Sequence, residues 1–229
     1  MTATCVLLVS VGLMSGLSQT QTGKPVSTDE KGWGSLFDGK TLNDWTTVQG
    51  KKVMRGWEVT PQGELHRKER GGHIVSKSAF HHFEMEMDWK IASGGNSGVK
   101  YRLVPHLNTL WGLEYQLFDD LTKLKNRKPN YGCCGALYNL YPPREDRPIK
   151  PAGEWNTMRI VVNDTKIEHW LNGKKIVDAD TNSEDWAKRF AKSKYRKVKN
   201  FAPNAPTRIL LQDHGSEVWF RNIRIRPLR

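Results

Sequence analysis

Cysteine is scarce in this chain, at three residues out of 229. Cys5 lies in an N-terminal apolar stretch, which leaves Cys133 and Cys134 side by side. Adjacent cysteines close only a strained ring, so no ordinary disulfide staple is expected between them. The chain has no CxxC pair and no zinc-type spacing. Long hydrophobic runs are missing too. The apolar run Val6 to Met14, followed by Ser15, Gly16, Leu17 and Ser18, is too short for a comfortable membrane span. Its length fits the core of a secretory signal, although Met1 to Thr4 carry no Lys or Arg and no lipidation cysteine follows. Residues 1–19 are therefore expected to be a signal peptide. The mature protein is expected to be exported, periplasmic or extracellular, with no membrane insertion after cleavage. Negative charge is also in deficit, with 24 Asp and Glu against 36 Lys and Arg, a net charge of +12. That excess invites a nucleic-acid or anionic-polymer reading. Much of it is concentrated in 188–199 and in Arg221, Arg224, Arg226 and Arg229, with no nucleic-acid motif around them. A solvated basic face is the expectation, and no nucleic-acid partner.

What is present is a chain 37% hydrophobic and 10% aromatic, with nine tryptophans, enough for one sizeable core. Some tryptophans would suit stacking on sugar rings. Residues 20–32 are polar and read as a disordered linker, so a single domain is expected over 33–229. From Trp33 the chain is a procession of short strands. Trp57 to Val59 and Glu64 to His66 have hairpin spacing across Pro61 to Gly63. In 82–92, Phe83, Met85, Met87, Trp89 and Ile91 alternate with His82, Glu84, Glu86, Asp88 and Lys90, one set inward and one outward. Val99 to Val104, 112–118 and Ala136 to Leu140 read as further strands, the last after an irregular stretch from Asp119 to Cys134. Trp155 to Val162 pairs with Lys166 to Leu171, and Asn172-Gly173 signals a type I′ hairpin into Lys175 to Ala179. Ser183 caps an expected helix to about Tyr195, with Trp186 and Phe190 on one face. Two strands, 208–212 and 218–226, close the chain. No internal repeat is found. The pattern is all-β, a β-sandwich with one short late helix.

The polar chemistry gathers around Gly112-Leu113-Glu114-Tyr115-Gln116-Leu117-Phe118-Asp119-Asp120. Leu113, Tyr115 and Leu117 would face a core, and Glu114 and Gln116 the opposite side. A bend after Leu117 would bring Asp119 round to Glu114. Gly94-Gly95-Asn96-Ser97-Gly98 and Leu211-Gln212-Asp213-His214-Gly215 are the other two polar stretches. Asn96 between glycines also suits a plain turn, and Asp213 a loop cap.

These stretches occur with Leu36-Phe37-Asp38-Gly39-Lys40, Gly153-Glu154-Trp155-Asn156, Glu168-His169-Trp170-Leu171-Asn172-Gly173 and Phe220-Arg221-Asn222-Ile223. The set resembles the 3-keto-disaccharide hydrolase family, over roughly 33–229. The resemblance implies a concanavalin A-like jelly-roll β-sandwich of two antiparallel sheets with a concave ligand face. It also implies cleavage of glycosides whose glucose ring is oxidised at carbon 3. The ketone acidifies the hydrogen on carbon 2, so a base can remove it while an acid helps the aglycone leave, and water then adds back. Direct hydrolysis by two carboxylates is the competing route. Glu114, Asp119 and His214 are the catalytic candidates, His214 because its ordinary pKa lies near neutrality. Asn96, Gln116 and Gln212 can bind hydroxyls, and Lys100, expected to share a strand face with Arg102, can stabilise an enolate. Tyr138, His169 and Asp213 complete the expected substrate-binding set, although His169 beside Trp170 equally suits a packed histidine. A divalent metal held by Glu114, Asp119 and His214 would polarise the keto oxygen. A non-catalytic carbohydrate-binding module on the same fold is the alternative, since fold does not fix function.

Overall fold

A computed structural model describes residues 28–124 and 129–228. The expected signal peptide, 1–19, and the linker up to residue 27 lie outside the described residues. Described structure starts five residues ahead of the expected boundary, where Thr28 bridges Gly34 across a turn held by Asp29.

Thirteen strands and two helices follow among the described residues. They are β1 (Gly34–Ser35), β2 (Trp45–Thr47), β3 (Trp57–Val59), β4 (Leu65–Arg67), β5 (Ile74–Phe80), β6 (Phe83–Ile91), β7 (Asn96–His106) and β8 (Thr109–Phe118). Then come α1 (Asp120–Leu124), β9 (Asn156–Asn163), β10 (Lys166–Leu171), β11 (Lys174–Asp180), α2 (Glu184–Lys192), β12 (Thr207–Leu211) and β13 (Val218–Pro227). An eight-stranded sheet runs β11-β10-β9-β6-β13-β4-β3 with β1 beside β13, and a five-stranded sheet runs β2-β5-β12-β7-β8. All pairings are antiparallel. The molecule is a two-sheet jelly-roll sandwich.

The period-two pattern explains the core. Phe83, Met85, Met87, Trp89 and Ile91 of β6 are buried, and from the other sheet Val99, Tyr101, Leu113, Tyr115 and Leu117 meet them. The outward acids of β6 are not merely solvated. Glu84 pairs with Arg226 and Arg159, Glu86 with Arg224 and Asp88 with Arg221. Asn172 and Gly173 both take positive φ, as a type I′ turn requires, and Ser183 caps α2 by accepting from Trp186 N–H.

Two expectations need correcting. Ala136 to Leu140 is not a strand. Its segment follows the edge of β8, with Gly135 N–H donating to the Gln116 carbonyl and Tyr138 N–H to that of Glu114. Positive φ at Gly135 and Asn139 keeps it to isolated bridges. The second correction concerns β7, which carries a bulge between Tyr101 and Val104, with Arg102 at φ +49°. The extra residue turns the Arg102 guanidinium toward Asp164 O and Asn204 Oδ1. Arg102 therefore leaves the Lys100 face, and Leu103 joins Val75 and Leu210 in a small apolar cluster there instead.

Candidate active site

Cross-strand register assembles the site on the outer face of the five-stranded sheet. Thr46, Val75, Leu210, Lys100 and Glu114 fall in one row across β2, β5, β12, β7 and β8. The neighbouring row holds Gly98 and Gln116, with Gln212 brought alongside by its N–H bond to the Gly98 carbonyl. Lys100 Nζ lies 3.5 Å from Glu114 Oε2, with their side chains 14% and 4% exposed. Gly98 makes this possible, because a Cβ there would stand 2.6 Å from Glu114 Oε1. The carboxylate thus lies across β7 in space that only glycine leaves open. Ser97 points inward, and its hydroxyl donates to the Gln212 carbonyl at 2.8 Å, fixing the strand that carries Lys100 to the loop after β12. Gln116 Nε2 donates to Asn96 Oδ1 at 2.9 Å, so the two amides form one polar shelf beside the carboxylate.

Two walls rise from this floor. Tyr138, tied by its N–H to the Glu114 carbonyl, is half-buried, and burial followed by the Glu114 charge pushes its phenol up. The segment after α2 brings Lys194 Nζ to 4.1 Å from the Tyr138 ring centroid, and Tyr195 beside it. Burial pushes the Tyr195 phenol far up, the Glu114 charge adds to it, and its hydroxyl is buried without a protein partner. Gln212 Oε1 is likewise buried and unpartnered. Each such group forfeits about 1–3 kcal/mol unless something else satisfies it. On the opposite side, His73 Nδ1 accepts from Asp213 N–H at 3.1 Å. Burial, then the Lys100 charge, pulls His73 below the usual imidazole range, so the ring is neutral with its proton on Nε2.

The structure does not bring every expected residue here. Asp119 accepts from Gly94 N–H at 2.7 Å and Thr122 N–H at 3.2 Å, clasping the turn before β7 to the start of α1. Burial works to raise its pKa, but those bonds and the Lys123 charge outweigh it and hold the carboxyl below its ordinary range. The bend after Leu117 therefore aims Asp119 at backbone amides, not at Glu114. Asp213 is spent in the same way. It pairs with Arg67 at 2.6 Å and accepts from Gly71 and Gly72 N–H, and its carboxyl is held low. His214 is exposed on the rim next to it, and no hydrogen bond or ion pair described joins it to Glu114. His169 is fully buried between the sheets, with Nε2 2.7 Å from the Tyr101 hydroxyl and Nδ1 3.0 Å from Gly135 O. Burial lowers its pKa to about 4, so it is a neutral core histidine and not a substrate contact. Among the described residues no three His, Cys, Asp or Glu side chains gather to hold a metal, so Glu114, Asp119 and His214 do not form the expected cluster.

His73, Lys194 and Tyr195 were missed from sequence. Lys194 sits in a run of lysines that reads as a solvated helix end. The buried aromatic embedded in that run, Tyr195, was the available signal.

A family model described as a 3-keto-alpha-glucoside-1,2-lyase-like domain matches residues 32–226. The chain belongs to this family. Within the wider group, it is 29% identical over 238 residues to a Bacteroides thetaiotaomicron protein named 3-keto-disaccharide hydrolase, covering 89% of this chain and 80% of that one. A candidate glycosyl hydrolase from Parabacteroides distasonis, known from its crystal structure, superposes with a TM-score of 0.76 at 32% identity. That match covers 87% of this chain and 95% of the other. A Bacillus subtilis protein of unknown function with a galectin-like fold matches at TM-score 0.51 and 10% identity, over 81% of this chain and 90% of that one. This last likeness concerns the fold alone.

Proposed function

We propose that the protein cleaves glycosides whose glucose ring is oxidised at carbon 3, using Glu114 as the base at carbon 2 and Lys100 as the cation facing the enolate oxygen. The observation that carries the reading is the Glu114–Lys100 pair, almost buried and yet set on the open face of a sheet beside unpartnered amide and phenol groups. A buried ion pair contributes little to stability over an apolar replacement of similar volume. Carboxylate and ammonium are what an elimination next to a ketone needs, which supports a chemical role for the pair. The family and the named relative support the substrate class. Elimination followed by hydration is favoured over double-carboxylate hydrolysis, because the second carboxylate, Asp119, is committed to Gly94 and Thr122. Asn96, Gln116 and Gln212 would hold sugar hydroxyls.

The test is release of sugar from 3-keto-trehalose and from a chromogenic 3-keto-glucoside. Wild-type turnover is expected, falling by about a hundredfold or more in Glu114→Gln. Binding of these sugars without release would overturn the reading in favour of a carbohydrate-binding module.

A further inference from the structure

We propose that Lys194 is the acid of this site: its ammonium protonates the oxygen leaving carbon 1 of the 3-keto sugar. The proposal rests on the reading of the site given above and adds a group from outside the sheet. Lys194 stands two residues past the end of α2, where its N–H donates to Asn139 Oδ1 at 2.7 Å. That bond places the lysine beside Tyr138, whose own N–H is bonded to Glu114. From there Nζ lies 4.1 Å from the Tyr138 ring centroid, 5.1 Å from that of Tyr195 and 5.5 Å from that of Trp111. Three ring faces thus hold the ammonium at the wall of the cleft, whereas Lys100 lies on its floor within 3.5 Å of the carboxylate. One carboxylate with two cations carried by different elements allows separate tasks for the cations.

The surroundings suit proton transfer. Burial pulls Lys194 below the usual lysine range, the Glu114 carboxylate opposes this, and the Lys100 charge adds to the lowering. The phenols of Tyr138 and Tyr195 are the other titratable groups facing it. An amine lowered toward neutrality is a better donor at neutral pH than an ordinary lysine.

The step balances without an oxidant or reductant. Glu114 takes the hydrogen from carbon 2, and that bonding pair becomes the double bond between carbons 1 and 2 as the carbon 1–oxygen bond breaks. Lys194 gives its proton to the departing oxygen. Water then adds its oxygen to carbon 1 and yields a proton to the Lys194 amine, while Glu114 returns its proton to carbon 2. The sum is hydrolysis.

Leaving-group dependence tests this. The 4-nitrophenyl and methyl 3-keto-glucosides are compared for wild type, Lys194→Met and Lys194→Arg at neutral pH. Nitrophenolate leaves without protonation and methoxide does not. Both variants are expected to lose about a hundredfold or more in kcat/KM on the methyl glycoside and less than about tenfold on the nitrophenyl one. Equal losses on the two substrates overturn the proposal. So does rescue of the methyl substrate by arginine, which keeps the charge but does not give up its proton. A wild-type enzyme that releases neither alcohol overturns the reading of the site itself, and the proposal with it. Both replacements keep a long stem over Tyr138, and thermal unfolding curves matching wild type establish that they fold.

Discussion

The Glu114 carboxylate occupies ground that Gly98 leaves empty, so the two positions act together. Gly98 has an ordinary backbone, and the nearest atom to an added methyl is the tip of a flexible side chain. Gly98→Ala is therefore expected to displace the carboxylate and to lower stability by about 1–3 kcal/mol, because the pair it disturbs is nearly buried. Turnover of a 3-keto-glucoside should fall toward that of Glu114→Gln. Urea unfolding read beside kcat/KM checks both halves, and an unaltered rate would mean that Glu114 works from elsewhere. At this scale residue type was legible and residue circumstance was not. Glu114, Gln116 and Lys100 follow from strand alternation, and Asn96 and Gln212 from the two flanking polar stretches, and the five come together on one side of the sheet. Asp119, Asp213 and His169 carry equally suggestive groups, but backbone amides, Arg67 and Tyr101 consume them. The deciding partners, Gly94, Arg67, Gly71, Gly72 and Tyr101, come from sequence-distant segments, so the chain near these residues offers only the loop-cap and packed-histidine readings.

Among the elements, strands with clean alternation were read correctly, as β6 and the β10–β11 hairpin show. Reading was poorer where tertiary bonds decide, as in the bulge at Arg102 and the segment after Gly135. That segment is fastened by a buried ion pair. Arg147 Nη2 lies 2.6 Å from Asp120 Oδ2, and the same carboxylate accepts from Cys134 N–H, joining α1 to the cysteine pair. Their side chains are 9% and 3% exposed, so removing one partner strands a charge out of water. Arg147→Met is expected to lower stability by about 3–5 kcal/mol, with part of it recovered when Asp120→Asn is added. Chemical denaturation of the single and double variants measures this. A loss below the scale of an exposed pair would show the link to be slack. Because this segment presents Tyr138 to Glu114, the single variant should also raise KM.

The whole molecule carries +12, and several of the cations that contribute to it are held in ion pairs. Arg221, Arg224 and Arg226 of the last strand face Asp88, Glu86 and Glu84 on β6. On α2, Lys188 and Arg189 pair with Glu184 and Asp185. Nucleic acid needs cations free to replace counterions, and Arg221, Arg224 and Arg226 are already engaged. Binding to a short DNA duplex at physiological salt is expected to be no tighter than the ordinary non-specific range, about 10⁻⁴–10⁻⁶ M. Fluorescence anisotropy across a salt series checks this, and a steep salt slope with submicromolar affinity would contradict it. The eight-stranded sheet spends its charges on itself, and Trp219 and Trp170 of that sheet lie under Lys90 and Arg159, as Trp155 and Trp33 at its strand ends lie under Arg221 and Arg224. On that same sheet β1 lies against β13. The first and last strands therefore share the layer turned away from the cleft. Anchored to a bead or a fusion partner through either of those strands' flanks, the sandwich would stand with its Glu114–Lys100 face outward.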